Sequence, residues 1–109
     1  MMRLTMSRTA AALLRALLAR ADAPAGALRL VAYQAIEWRA LTLDGERHIY
    51  QFSLDGGADP AIAARLLDAL DEHEFAIGAS FVADIIGKRG EHSPGEATPL
   101  LIEALTILA

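Results

Sequence analysis

The stretch that decides the fold is ALRLVAYQAIEWRALTLDGERHIYQFSLDGG, residues 27–57. It is rich in β-branched and aromatic residues, and Asp44–Gly45 is a common hairpin turn. A three-residue loop with Gly45 in a left-handed bulge would pair Trp38 with Tyr50. That register separates apolar from polar side chains, which a one-residue slip would mix, so we predict a bulged hairpin. Its expected apolar face holds Ile36, Trp38, Tyr50, Phe52 and Leu54, and its polar face holds Glu37, Arg39, Arg47 and Gln51.

One amphipathic helix is predicted before this hairpin and one after it. The first begins with Ser7 as N-cap and ends before the DAPAG segment, residues 22–26. The second begins with Asp59 as N-cap and Pro60 as the first helical residue, and it ends around His73. Each helix carries a single apolar stripe, which indicates packing against a sheet.

A second hairpin is predicted in the remainder of the chain. The stretch EFAIGASFVADIIGKRG, residues 74–90, alternates in polarity, and LLIEALTILA, residues 100–109, is typical of a terminal strand. A long loop, residues 89–98, connects the two strands. In the first strand we expect one face to consist of Phe75, Ile77, Ala79, Phe81, Ala83 and Ile85.

The element order is therefore α-β-β-α-β-β, and the simplest arrangement is two helices on one face of a four-stranded antiparallel sheet. This α+β order is what a ferredoxin-like plait would have after circular permutation. The length of 109 residues favours one domain. We assign residues 7–109 to it and predict a disordered lead-in over residues 1–6.

Composition excludes several classes of function. The chain has no cysteine, so disulfide and thiolate chemistry are ruled out. A net charge of −4 argues against nucleic acid as the partner, because phosphate binding favours a basic face. No run of 18 apolar residues is present, and Arg15 interrupts the apolar N-terminal stretch, so we expect neither a membrane span nor a signal peptide. A cytoplasmic location is expected.

The second hairpin has apolar residues on both faces, whereas the helices can cover only one. With a mean hydropathy of +0.32, this pattern indicates an interface with another subunit, since exposed apolar patches are usually contact surfaces. We predict a homodimer or a higher homo-oligomer. The predicted interface residues are Val82, Ile86, Leu101, Leu105 and Ile107.

Asp84 and Glu103 are the most prominent polar residues in this apolar hairpin. If residues 89–98 close the hairpin symmetrically, the two carboxylates lie directly opposite each other and repel. One would then have a raised pKa, or both would hold a divalent cation together with His73 or His92. The alternative that we favour is pairing with basic side chains at an interface.

Two functions follow from these patterns. The favoured one is a non-enzymatic, self-associating domain with a structural or protein-interaction role, without catalytic residues, metal or cofactor. The alternative is a small-molecule-binding protein or enzyme whose pocket at the sheet face or dimer interface uses Asp84 and Glu103.

The 23 alanines, and nine arginines against Lys88 alone, are typical of GC-rich bacterial genomes.

Overall fold

The structure, a computed structural model, describes residues 6–108. The predicted lead-in therefore lies outside the described residues except for Met6. The fold is α+β, with two helices and a four-stranded antiparallel sheet, as predicted. The elements are α1 (Arg8–Ala21), β1 (Leu28–Ala40), β2 (Leu43–Leu54), α2 (Ala61–Leu67), a 3₁₀ turn (Leu70–Glu72), β3 (Ser80–Arg89) and β4 (Thr98–Leu108).

The strands are arranged in the order β1-β2-β4-β3, and every neighbouring pair is antiparallel. Both helices lie on one face of this sheet, which we call the inner face; the opposite face is the outer face. The helices and the inner face enclose one core. Its largest buried side chains are Leu13, Leu17, Tyr50, Phe52, Ile62, Leu66, Leu100 and Ile102. In the described part of the chain, neither helix is long and apolar enough to cross a membrane.

Helix α1 begins and ends where the sequence predicts. The Ser7 Oγ accepts a hydrogen bond from the backbone N–H of Ala10 at 3.1 Å and donates one to Glu46 Oε1 at 2.7 Å. The N-cap thus also ties the helix to strand β2. At the other end, Asp22 is left-handed with φ 48° and stops the helix.

Helix α2 begins one residue later than predicted, with Pro60 at the N-cap position and Ala61 as its first residue, and it is shorter than expected. The Asp59 carboxylate accepts a hydrogen bond from the N–H of Ala61 at 2.9 Å. The helix ends at Leu67, because Asp68 is extended and Ala69 is left-handed with φ 49°. The expected continuation to His73 is wrong; the chain instead forms the separate 3₁₀ turn.

An arginine on each helix donates hydrogen bonds to carbonyl groups at the C-terminal end of the other helix. The Nε of Arg65, on α2, donates to the carbonyl of Ala21 at 2.9 Å, and its Nη2 donates to Asp22 at 3.2 Å. In return, Arg20, on α1, donates to the carbonyls of Leu66 and Asp68. Each guanidinium thereby satisfies carbonyls that have no partner within their own helix.

The first hairpin forms, but its predicted turn is wrong. Ala40 pairs with Leu43, so the turn is Leu41–Thr42 and Gly45 lies within β2 opposite Trp38. The reason is tertiary: β4 pairs with β2 along its length, and a Cβ on Gly45 would collide with the Thr106 carbonyl. This register moves Ile36 and Trp38 to the outer face and Glu37 and Arg39 to the inner face, so the predicted face assignment of β1 is wrong.

The second hairpin contains a β-bulge that exchanges two predicted positions. The pairing of β3 with β4 shifts between Val82 and Asp84, which leaves Ala83 as the extra residue. Phe81 therefore lies on the outer face and Val82 on the inner face, the reverse of the prediction, because a bulge inverts the alternation on one side of it. The strand also begins at Ser80 and not near residue 75, since Gly78 turns the chain with φ 84°.

Candidate interaction surface

The outer face is defined by rows of residues that are paired across the four strands. Each row runs in the order β1, β2, β4, β3, and four rows contain most of the face. These rows are Trp38–Gly45–Ile107–Phe81, Ile36–Arg47–Leu105–Asp84, Gln34–Ile49–Glu103–Ile86 and Ala32–Gln51–Leu101–Lys88.

This face is largely apolar, and no element among residues 6–108 covers it. Ile36, Phe81 and Ile86 are 46%, 50% and 43% exposed. Trp38, Ile49, Leu101 and Leu105 are half-buried. Because contact with water is unfavourable for large apolar side chains, a contiguous exposed set of this kind is typical of contact surfaces.

Four of the five predicted interface residues lie on this face: Ile86, Leu101, Leu105 and Ile107. The fifth, Val82, was wrongly placed, because the bulge turns it toward the core, where it is half-buried. Sequence reasoning missed the contribution of β1 and β2. The alternation of apolar residues at Ile36, Trp38 and Ile49 indicates that they share a face. It assigns them to the outer face only once the turn at Leu41–Thr42 is known.

Three charged side chains occupy the two middle rows. Arg47 and Asp84 flank Leu105 from opposite sides, and Glu103 lies between Ile49 and Ile86. The direct opposition of Asp84 and Glu103 is therefore wrong. The hairpin closes with Gly90 N–H bonded to the Pro99 carbonyl at 2.7 Å, which shifts the register by two residues and leaves the carboxylates diagonal on the same face.

Within the described residues, these charges have no ion-pair partner. The one ion pair found over residues 6–108 joins Arg39 to Asp44 at 3.2 Å, at an exposed site away from the middle rows. Arg47, Asp84 and Glu103 thus present opposite charges, still free to pair, inside an apolar surface. Such an arrangement suits a partner that brings complementary charges.

The two candidate histidines do not join the carboxylates. His73 follows the 3₁₀ turn on the helix-bearing side and stacks edge-on against Phe75, with ring centroids 4.5 Å apart. His92 is exposed in the β3–β4 connection, with its Nδ1 3.4 Å from the Gly90 carbonyl oxygen. Over residues 6–108, no three His, Asp or Glu side chains converge as metal ligands would.

One end of the outer face is concave. A depression of about 620 Å³ lies beside the last paired row, toward the β3–β4 loop. Its lining is mainly apolar, with one ammonium group at the side. The lining residues include Val31, Gln51, Lys88, Pro99 and Leu101.

A buried polar cluster lies on the inner face. The fully buried His48 contacts Tyr33 through Nδ1, 3.1 Å from the phenol oxygen, and Thr106 through Nε2, 2.8 Å from the hydroxyl. The Thr106 hydroxyl donates to the Glu46 carbonyl at 3.5 Å. These roles require Nε2 to carry the proton and Nδ1 to accept from Tyr33, so one tautomer satisfies every contact.

Burial governs the ionisation of this cluster. It lowers the pKa of His48, an effect that the nearby Glu46 carboxylate opposes. Burial, with a smaller contribution from Glu46, raises the pKa of Tyr33 to about 12. His48 and Tyr33 are therefore neutral near pH 7. Because His48 is fully buried, it has no access to a substrate, and the cluster serves to orient the strands. Alternation with Tyr50 and Phe52 is the sequence signal that places His48 inward.

Comparison of the chain with protein-family models, with curated proteins and with solved structures gives no match.

Proposed function

We propose that this chain is a self-associating interaction domain that forms a homodimer through its outer sheet face and has a structural role. The observation that carries the proposal is an apolar face that no element among residues 6–108 covers, with charges of both signs that have no ion-pair partner within that range. Apolar surface supplies the free energy of association, and mixed charge supplies register and specificity. A surface with both signs complements a second copy of itself.

The size of the face supports this role. Four strands about 4.8 Å apart and ten residues long, at about 3.3 Å per residue, cover roughly 600 Å² in projection. Specific interfaces bury about 600–1,000 Å² of accessible surface on each partner. A copy stacked over the whole face therefore reaches the range of a specific interface, whereas contact over one hairpin does not.

We also propose that the fold is a circularly permuted ferredoxin-like plait. In the unpermuted plait, the N-terminal strand is one of the two central strands of the sheet. Moving it to the end of the chain gives the order β1-β2-β4-β3, which agrees with the strand order observed. This topology leaves one sheet face free of helices and so supports association through that face; it implies no activity by itself.

The test compares two exposed apolar residues on different surfaces. Ile86 is 43% exposed on the outer face, and Leu18 is 40% exposed on helix α1. We expect Ile86→Lys to convert the dimer to a monomer, because it removes an apolar contact from the interface and places a hydrated ammonium group there. Leu18→Lys, the matched control, should leave the dimer intact. Sedimentation equilibrium measures both variants, with circular dichroism to verify folding.

Equal effects of the two substitutions, or a monomeric parent chain, would contradict the proposal. The small-molecule alternative that uses Asp84 and Glu103 stays a prediction. Neither carboxylate lines the 620 Å³ depression.

A further inference from the structure

The two ends of the outer face have complementary shapes. At one end, Phe81 is half-exposed and Trp38 lies against Gly45, which has no side chain to hold it away. At the other end lies the apolar depression beside Leu101, with Lys88 at its side. Aromatic side chains that fill a pocket on the partner are the usual anchors of protein interfaces. One end thus presents the anchor and the other the pocket.

Resting on the proposed self-association, we infer that two copies stack outer face to outer face with their strand ends reversed, so that the Phe81 side chain of each copy enters the depression of the other. The two-fold axis runs perpendicular to the strands and lies between the two middle rows. It places the row that contains Phe81 over the row that contains Lys88. Both contacts then form twice. The ammonium group of Lys88 lies beside the inserted aromatic ring, which attracts cations.

In this arrangement Arg47 approaches a carboxylate of the second copy. With the ends reversed, Glu103 of the second copy lies over Leu105, which is the neighbour of Arg47 on the next strand. Opposite charges are then one strand spacing apart, about 4.8 Å in the plane of the sheet. In the other arrangement, the same ends of the two faces lie together. Arg47 of the second copy then lies over Leu105, and the two arginines meet. The reversed arrangement therefore brings Arg47 and Glu103 together across the interface, while Asp84 of the second copy lies over Ile86, beside the same Glu103.

Engineered cysteines distinguish the two arrangements cleanly, because the chain contains none of its own. The variants are Phe81→Cys, Lys88→Cys and Trp38→Cys, mixed in pairs at a concentration where the parent chain is dimeric and treated with a short bis-maleimide, because stacked sheets lie about 10 Å apart, beyond the reach of a disulfide. We expect a covalently linked dimer from Phe81→Cys with Lys88→Cys. Phe81→Cys with Trp38→Cys, the matched control, should give at least roughly tenfold less linked product, since the reversed arrangement separates these two positions by the length of the face.

Linkage between positions 81 and 38, or no linkage in either mixture while the parent chain is dimeric, would overturn the inference and leave the proposed function standing. A monomeric parent chain would overturn both. The failures of the two proposals are thereby distinguishable.

A charge exchange gives a second readout that does not remove the aromatic anchor. Arg47→Glu should weaken self-association by roughly tenfold or more, because like charges then meet across the interface, and Glu103→Arg removes the carboxylate that pairs with Arg47. Mixing the two variants should restore a dimer that contains one copy of each. Failure of the mixture to associate better than either variant alone would overturn the reversed arrangement.

The depression is also large enough for a small ligand. Native mass spectrometry of the purified parent chain decides between the occupants. A dimer with the mass of two chains supports the inference. A monomer that carries a bound small molecule in place of a second copy would overturn it.

Discussion

At the scale of single residues, His48 is the clearest case of a polar side chain whose role is set by burial. Both ring nitrogens are used, by Tyr33 and Thr106, and the ring stacks on Tyr50 with centroids 6.0 Å apart. Its contacts connect β1, β2 and β4 across the inner face. A buried polar group whose hydrogen-bond partners are all present lowers the stability of the fold little. Loss of one partner lowers the free energy of unfolding by about 1–3 kcal/mol.

The lowered pKa of His48 makes the stability of the fold depend on pH. Its pKa in the folded state lies below the ordinary value of 6.5, so the unfolded chain binds the proton more readily as the pH falls. The contribution of neutral His48 is fully present above about pH 6.5 and is lost below it. We expect the melting temperature to fall between about pH 7.5 and about pH 5.5, above the range where carboxylates titrate.

His48→Gln should remove most of this pH dependence and lower stability near neutral pH by about 1–3 kcal/mol, because at least one hydrogen bond is lost. His92→Gln, at an exposed histidine, should retain the pH dependence of the parent chain. Thermal melting followed by circular dichroism measures all three proteins. Equal slopes for the parent and His48→Gln would contradict the assignment of the effect to His48.

At the scale of elements, the helix pair depends on the reciprocal arginine contacts. Arg65 looks like an ordinary polar residue on the wet side of α2, but its guanidinium holds the end of α1 through Ala21 and Asp22. This contact substitutes for hydrogen bonds that the helix end cannot make itself.

Arg65→Met should therefore destabilise the fold by about 1–2 kcal/mol, since it retains the length of the side chain and removes the hydrogen bonds. The matched control is Arg15→Met on the exposed face of α1, which should change stability by no more than about 0.5 kcal/mol. Urea unfolding measures the free energy of both variants. An equally small effect of Arg65→Met would show that the contacts contribute nothing.

Most of the helices and strands were predictable from the sequence. Strong local signals placed Ser7 and Asp59 at helix starts, and alternating polarity indicated four strands. The errors came from tertiary competition. Asp44–Gly45 has the local signature of a turn, but pairing with β4 kept Gly45 in the sheet. The bulge at Ala83 has no local signature, and it exchanged the faces of Phe81 and Val82.

At the scale of the whole molecule, the asymmetry between the two sheet faces is the dominant feature. The helices cover the inner face, and the outer face presents apolar side chains together with Arg47, Asp84 and Glu103. The sequence predicted the apolar character of β3 and β4 but not its continuation onto β1. The site extends across all four strands because Ile36 and Trp38 turn outward, which makes it large enough for a dimer.

The proposed self-association is tested most directly by the molar mass of the parent chain, measured by light scattering on a size-exclusion column at micromolar concentration. We predict twice the 11.6 kDa mass of the chain, because we propose that a second copy covers the outer face that residues 6–108 leave open. A stable species of 11.6 kDa across the same concentration range would contradict the proposed dimer.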